Sequence, residues 1–283
     1  MNFKDFKKQQ QEFTESVKKL IQPAKNNYKD DRFWKFTKDA AGNANAIIRF
    51  LPQKDLSKSP VQLIYKHGSQ IKGRWLIDEC PVTIGKKCPI CEYAGEIWDS
   101  NEDLARKLYR SKRYVANILV IDDPSEPENN GKIFLFSFGK KIYDKILEII
   151  APEDEDEESF NIFDFDEGVN FKLKITQVGG HNNYDKSKFL LTKKSIGDDK
   201  KQEEVFNSLY DLDKFLDPEL FKTYETLQQK LNSILNNTNV TTKNIQEEIK
   251  KETKLEPVEE VSEENVEEVD EEDIDFDALL ADD

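Results

Sequence analysis

All three cysteines of this 283-residue chain fall close together, with one of its two histidines: His67, Cys80, Cys88 and Cys91. Cys88-Pro89-Ile90-Cys91 is the tight turn that lets two thiolates reach one tetrahedral ion. His67 and Cys80 stand at the ends of an expected hairpin through Gly73 and Trp75, which returns both to one place. Four soft nitrogen and sulfur donors with none left over describe a closed, structural site for one Zn²⁺; unrelated buried thiols are the plain alternative. Catalytic zinc chemistry fits poorly. A zinc deaminase needs a glutamate beside its histidine and an open coordination position. Here His67-Gly68-Ser69 lacks the glutamate, Lys87 replaces the proline before Cys88, and Cys80 fills the fourth place. No nucleotide-binding glycine loop is present either, so the sequence predicts no enzyme.

A second constellation is cationic and aromatic. Tyr109-Arg110-Ser111-Lys112-Arg113-Tyr114 sets three cations between two tyrosines, just before an expected strand. Phe134, Phe136 and Phe138 alternate along another strand, followed by Lys140, Lys141 and Tyr143, and a glycine-rich loop carries His181 and Tyr184. Single-strand binders combine a positive groove with rings on which bases stack. The candidate DNA contacts are therefore Arg110, Lys112, Arg113, Lys140 and Lys141 for phosphates, and Tyr114, Phe136, Tyr143 and Tyr184 for bases. For the phenylalanine stripe, core packing is the competing reading. No base-reading helix is visible, so sequence-specific duplex recognition is not expected.

The elements that must position these groups are mostly strands. Strand-like segments begin at residues 33–36 and continue at 46–51, 61–65, 74–77, 114–121, 133–138 and 171–178. Helical spacing interrupts at about 92–110, 140–151 and 202–236. This mainly β pattern with helical insertions suits a small, partly open barrel or a sandwich, the OB-fold being one candidate. No run of apolar residues is long enough for a membrane span, and no membrane association is expected. Few cysteines and no secretory signal suit a reducing cytosol.

The net charge of −15 is unevenly spread. Residues 247–283 carry 18 Asp/Glu against 3 Lys, a net of −15, while residues 1–150 carry 27 Lys/Arg against 20 Asp/Glu, a net of +7. The front is thus free to meet phosphates, and the end is a tethered polyanion whose composition cannot support a packed core. Three regions follow: a basic amphipathic arm over 1–25, a core over 26–237 with a zinc subdomain at about 61–110, and an acidic tail over 238–283. In the tail Phe276, Leu279 and Leu280 lie at i, i+3, i+4, an apolar face for a partner protein. A polyanion on the same chain competes with DNA for the cationic cleft.

The chain resembles the gene 32-type single-stranded DNA-binding (helix-destabilising) proteins of T-even-like phages. The likeness rests on Ala41-Gly42-Asn43, Ile48-Arg49-Phe50-Leu51-Pro52, the set His67, Cys80, Cys88 and Cys91, and Tyr114 with Ala116-Asn117-Ile118-Leu119-Val120. It continues through Asp123-Pro124, Pro127-Glu128-Asn129, Phe138-Gly139-Lys140-Lys141-Ile142 and Asn183-Tyr184-Asp185-Lys186-Ser187-Lys188-Phe189, spanning about residues 30–190. The resemblance implies an OB-fold core with a zinc-bearing subdomain and cooperative, sequence-nonspecific coating of single-stranded DNA during phage replication, recombination and repair. It also implies that an arm with Lys4, Lys7 and Lys8 binds neighbouring protomers along the DNA. The acidic tail would recruit phage replication and recombination proteins, all in the cytoplasm of an infected bacterial host. The competing class is a zinc-stabilised adaptor that binds only proteins through a DNA-mimicking tail.

Overall fold

A computed structural model describes residues 30–154 and 157–236. Residues 30–32 belong to a separate N-terminal unit, Met1–Arg32, and hold an Asp30–Arg32 ion pair at 2.6 Å. From Phe33 onward the architecture is one antiparallel sheet system of eight strands: β1 (Ala44–Leu51), β2 (Val61–Ile71), β3 (Arg74–Glu79), β4 (Ser111–Asp122), β5 (Ile133–Phe138), β6 (Val169–Val178), β7 (His181–Asn183) and β8 (Lys188–Lys193). The strand order is β3-β2-β4-β1-β6-β7, with β5 also paired to β4 and β8 also paired to β6. Among the described residues five helices accompany it: α1 (Pro89–Glu96), α2 (Glu102–Leu108), α3 (Lys140–Ile150), α4 (Asp199–Ser208) and α5 (Tyr224–Asn236). Among the described residues no helix is long and apolar enough to cross a membrane.

Strand β4 organises the rest, because it pairs with β1, β2 and β5. It is buried without a break from Tyr114 to Val120, since both of its faces are covered. Tyr114, Ala116, Ile118 and Val120 enter the main core, which is rich in rings: Phe50 meets Phe136, Phe138, Phe171 and Phe189 at centroid distances of 5.7–6.5 Å. Val115 and Leu119 face the other way. On that face the buried Asn117 side chain is satisfied by the Tyr210 backbone, donating to its carbonyl (2.9 Å) and accepting its N–H (3.0 Å).

One buried cation ties the sheet to its loops. Arg49 on β1 is 1% exposed. Its guanidinium donates to Asn170 Oδ1 (2.9 Å) and to the carbonyls of Asp164 (3.2 Å) and Lys194 (2.6 Å). Burial lowers its pKa to about 10, so it stays charged at neutral pH. Gly168 leaves it room: a Cβ there would lie 2.8 Å from Arg49 Nη1 and 2.4 Å from the Asp164 carbonyl.

The expected elements are mostly present, but β7 and β8 are additional strands and three further differences stand out. Residues 33–36 make only an isolated bridge, Phe33 to Leu135, because Trp34 turns inward and donates from Nε1 to Asp123 Oδ2 at 3.1 Å. The helix expected at 92–110 is two, since Asn101 caps α2 by accepting the Leu104 N–H. The block at 202–236 is α4 and α5 separated by short 3₁₀ turns at Leu212–Leu216 and Pro218–Leu220.

Candidate metal centre and nucleic-acid interface

The β2–β3 hairpin turns at Lys72-Gly73, both with positive φ (50° and 79°), the two-residue turn that matches strand twist. It carries His67 on β2 and delivers Cys80 to the end of β3. Pro89 at the first turn of α1 then fixes the chain between Cys88 and Cys91. The four ligand atoms lie within 4.8 Å of one another. Cys80 Sγ is 3.6 Å from Cys91 Sγ, and His67 Nε2 is 3.3 Å from Cys88 Sγ and 3.8 Å from Cys91 Sγ. An ion bonded to sulfur at about 2.3 Å separates tetrahedral donors by about 3.8 Å, so the spacing suits a metal.

The surroundings suit one too. His67 Nδ1 lies 2.8 Å from the Leu108 carbonyl, which can only accept, so Nδ1 carries the proton and Nε2 offers its lone pair to the cluster. Hydrogen bonds from the Cys80 and Cys88 thiols hold the Cys91 thiol well below its ordinary pKa; burial opposes this and a hydrogen bond from Arg110 reinforces it. The same thiol contacts, together with burial, push Cys80 up. The His67, Cys80, Cys88 and Cys91 group could therefore hold a metal ion.

Arg110 is placed differently from the sequence expectation. Its guanidinium lies 4.9 Å from the Tyr65 ring centre and 5.0 Å from that of Tyr109. Burial works against its charge, but the hydrogen bond to Cys91 and the neighbouring Tyr109 and cysteines raise its pKa overall. This half-buried cation stands beside the thiol cluster and two tyrosine rings.

The core around the thiol cluster draws on residues beyond 61–110. Leu227, Leu231 and Ile234 of α5 share one core with Leu76, Cys80, Cys88, Ile90 and Leu108. Four cations fasten the helix to the β2–β3 hairpin. Lys222 and Lys230 pair with the buried Asp78 carboxylate. Lys72 donates to the Leu235 carbonyl (2.7 Å) and Arg74 to that of Ser233 (3.0 Å), at the electronegative end of α5. On α1, Glu92 accepts from the Tyr224 hydroxyl at 2.6 Å.

The aromatic candidates divide. Phe136 is 2% exposed and packed among Trp34, Phe50 and Phe138, so its ring is a core element with no face to offer a base, a correction to the expectation. Tyr114 is also buried, at 6%, and lies against Tyr143 with ring centres 3.9 Å apart and planes 8° apart. It supports Tyr143 rather than presenting its own face. Tyr143 and Tyr184 are half-buried and pack on the same core. Lys140 and Lys141 are exposed at the start of α3, Lys140 paired with Asp144 at 3.3 Å. Lys112 shares the Tyr114 face of β4, whereas strand alternation puts Arg113 on the opposite face. Tyr114 and Tyr143 are thus in ring contact, with Lys140 and Lys141 in the same helical turn as Tyr143 and Lys112 on the Tyr114 face of β4. Arg110 stands at the thiol cluster, Arg113 on the other face of β4 and Phe136 inside the core. Lys4, Lys7 and Lys8, and Phe276, Leu279 and Leu280, lie outside the described residues.

An antiparallel β protein with helical insertions and a buried three-thiol, one-imidazole cluster is the class these features define. The family model described as gp32 DNA binding protein like matches residues 42–235. Over 209 residues the chain is 39% identical to the single-stranded DNA-binding protein of Enterobacteria phage T4 and to that of Enterobacteria phage T2, covering 71% of this chain and 69% of each relative. The single-stranded DNA-binding protein of Escherichia phage SV14 is 42% identical over 62 residues, 21% of this chain and 55% of that protein. The chain belongs to the gp32-like family of DNA-binding proteins.

Proposed function

We propose that this protein binds single-stranded DNA in phage replication, as a sequence-nonspecific coat rather than an enzyme, in the cytoplasm of the infected host. The observation that carries the reading is the family match over residues 42–235, which contains both the thiol cluster and the Tyr143 surface. Lys112, Lys140 and Lys141 supply phosphate contacts, and Tyr143 and Tyr184 supply stacking faces, each worth about 1–3 kcal/mol to binding. Tyr114 stiffens Tyr143 from below. Duplex DNA hides its base faces, so selectivity for single strands follows.

The metal in this reading is one Zn²⁺ held by His67, Cys80, Cys88 and Cys91. Once bound it cross-links the β2–β3 hairpin to α1, and it has no open position for catalysis. Leu108 orients His67 and Arg110 offsets the surplus thiolate charge. The strands from β1 to β8 are the OB-fold core of this reading. Residues 1–25, with Lys4, Lys7 and Lys8, engage neighbouring protomers. Residues 238–283 compete with DNA and, through Phe276, Leu279 and Leu280, engage replication and recombination proteins. A fluorescence titration with oligothymidylate and matched duplex, at several salt concentrations, tests the reading on the full chain and on a form lacking 247–283. Single-strand preference that tightens after deletion is expected. No binding by either form overturns it in favour of a protein-only adaptor.

A further inference from the structure

Four lysines converge on the outer face of β6 and the turn into β8. Lys172 and Lys174 alternate along β6, Lys186 lies in the turn and Lys188 begins β8. Lys172 and Lys188 are direct cross-strand partners, an arrangement in which like charges destabilise a sheet. None of the four forms an ion pair with another described residue. The one carboxylate among them, Asp185, accepts from Asn183 Nδ2 at 2.7 Å.

The cluster is held in place. Buried Ser187 donates from Oγ to the Lys174 carbonyl (3.1 Å) and accepts the Lys174 N–H (2.9 Å), while its own N–H donates to the Tyr184 carbonyl (2.8 Å). These bonds fix Lys186 and Lys188 beside Lys174 and Lys172, so the repulsion is built into the turn. With Asp185 and Ser187 the lysines line an open groove of about 420 Å³. A second groove of about 410 Å³ shares Lys174 and Lys186 and continues past Asn45, Ser125 and Thr176. At its far end the Asp39 carboxylate is turned into its own loop, accepting the Ala41 and Asn43 N–H groups. No aromatic side chain lines either groove, so nothing there can stack on a base.

We infer that this groove binds the phosphates of a DNA single strand without reading or stacking its bases, extending the contact surface beyond Tyr184. The inference rests on the single-strand reading above. Continuity favours DNA as the occupant: Tyr184 closes the same turn that carries Lys186, so a strand stacked on Tyr184 runs directly onto the lysines.

The test is the variant Lys172→Gln/Lys174→Gln/Lys186→Gln/Lys188→Gln in the full chain, titrated with a short and a long oligothymidylate at the ends of the roughly 4–16-nucleotide range. Because like charges are removed, its melting temperature should equal or exceed that of the unaltered protein. For the long oligonucleotide the slope of log affinity against log salt should become shallower by about 3, at about 0.7 per phosphate contact, with little change for the short one. An unchanged slope at both lengths overturns the groove while leaving the single-strand reading intact. Tighter binding by the variant at low salt, abolished by deleting 247–283, identifies the acidic tail as the occupant and also overturns it. Failure of the unaltered protein to bind either oligonucleotide rejects the single-strand reading itself.

Discussion

Replacing Arg110 by glutamine separates two roles that the sequence alone leaves merged. The guanidinium lies against the rings of Tyr65 and Tyr109, and the neighbouring Cys91 favours its charge. Each cation–π contact at a partly exposed site contributes about 0.5–1 kcal/mol. The side chain is half-buried, and losing both contacts should cost about 1–2 kcal/mol. For a domain of this size that lowers the melting temperature by roughly 2–8 °C. The assay is scanning calorimetry beside metal content after dialysis against a weak chelator, with Arg110→Lys as a control that keeps charge but loses the planar stack. Arg110→Gln should melt early and release metal sooner, with the salt slope of DNA binding unchanged. Should it melt with the unaltered protein and its slope become shallower by about 0.7, Arg110 is a phosphate contact and its assignment to the thiol cluster is wrong.

Other perturbations have equally definite outcomes. Arg49→Ala leaves two buried carbonyls and Asn170 without their donor and should cost about 3–5 kcal/mol, read from the urea midpoint. Leu231→Ala empties a fully buried site on α5 and should cost about 2–5 kcal/mol; accelerated proteolysis near residue 236 would report loosening of that helix. Cys88→Ser should abolish stoichiometric zinc and lower the melting temperature, and in the unaltered protein Co²⁺ should give the spectrum of a four-coordinate thiolate site. Tyr143→Ala should weaken oligothymidylate binding by about 1–3 kcal/mol, and a change below about 0.3 kcal/mol would remove it from the interface.

The thiol cluster was legible because its ligands are local: a two-residue turn and one hairpin decide whether they meet. Helix α3 was legible for a similar reason, its apolar residues repeating at helical spacing from Ile142 to Ile149. What the sequence left hidden depends on distant partners. The Tyr109–Tyr114 segment reads as one cationic patch, yet strand alternation splits Lys112 from Arg113, and Tyr65 on β2 joins the thiols in capturing Arg110. Core packing is the favoured reading of Phe134 and Phe138 while Phe136 reads as a stacking ring, and the cover provided by Trp34 and Phe50 places Phe136 in the core as well. No local signal announces that Asp78 will meet Lys222 and Lys230, about 150 positions later. The lysines of β6 and the β8 turn look like ordinary solvated charges until register sets Lys172 opposite Lys188.

The anchoring of α5 has a consequence for how this chain can be shortened. A fragment ending after β8 would retain every strand yet bare Leu76, Ile90 and Leu108, turning the lid of the thiol module into a sticky surface. The smallest self-sufficient piece must therefore extend through Asn236. The chain that continues past that residue therefore departs from the helix that covers the thiol cluster.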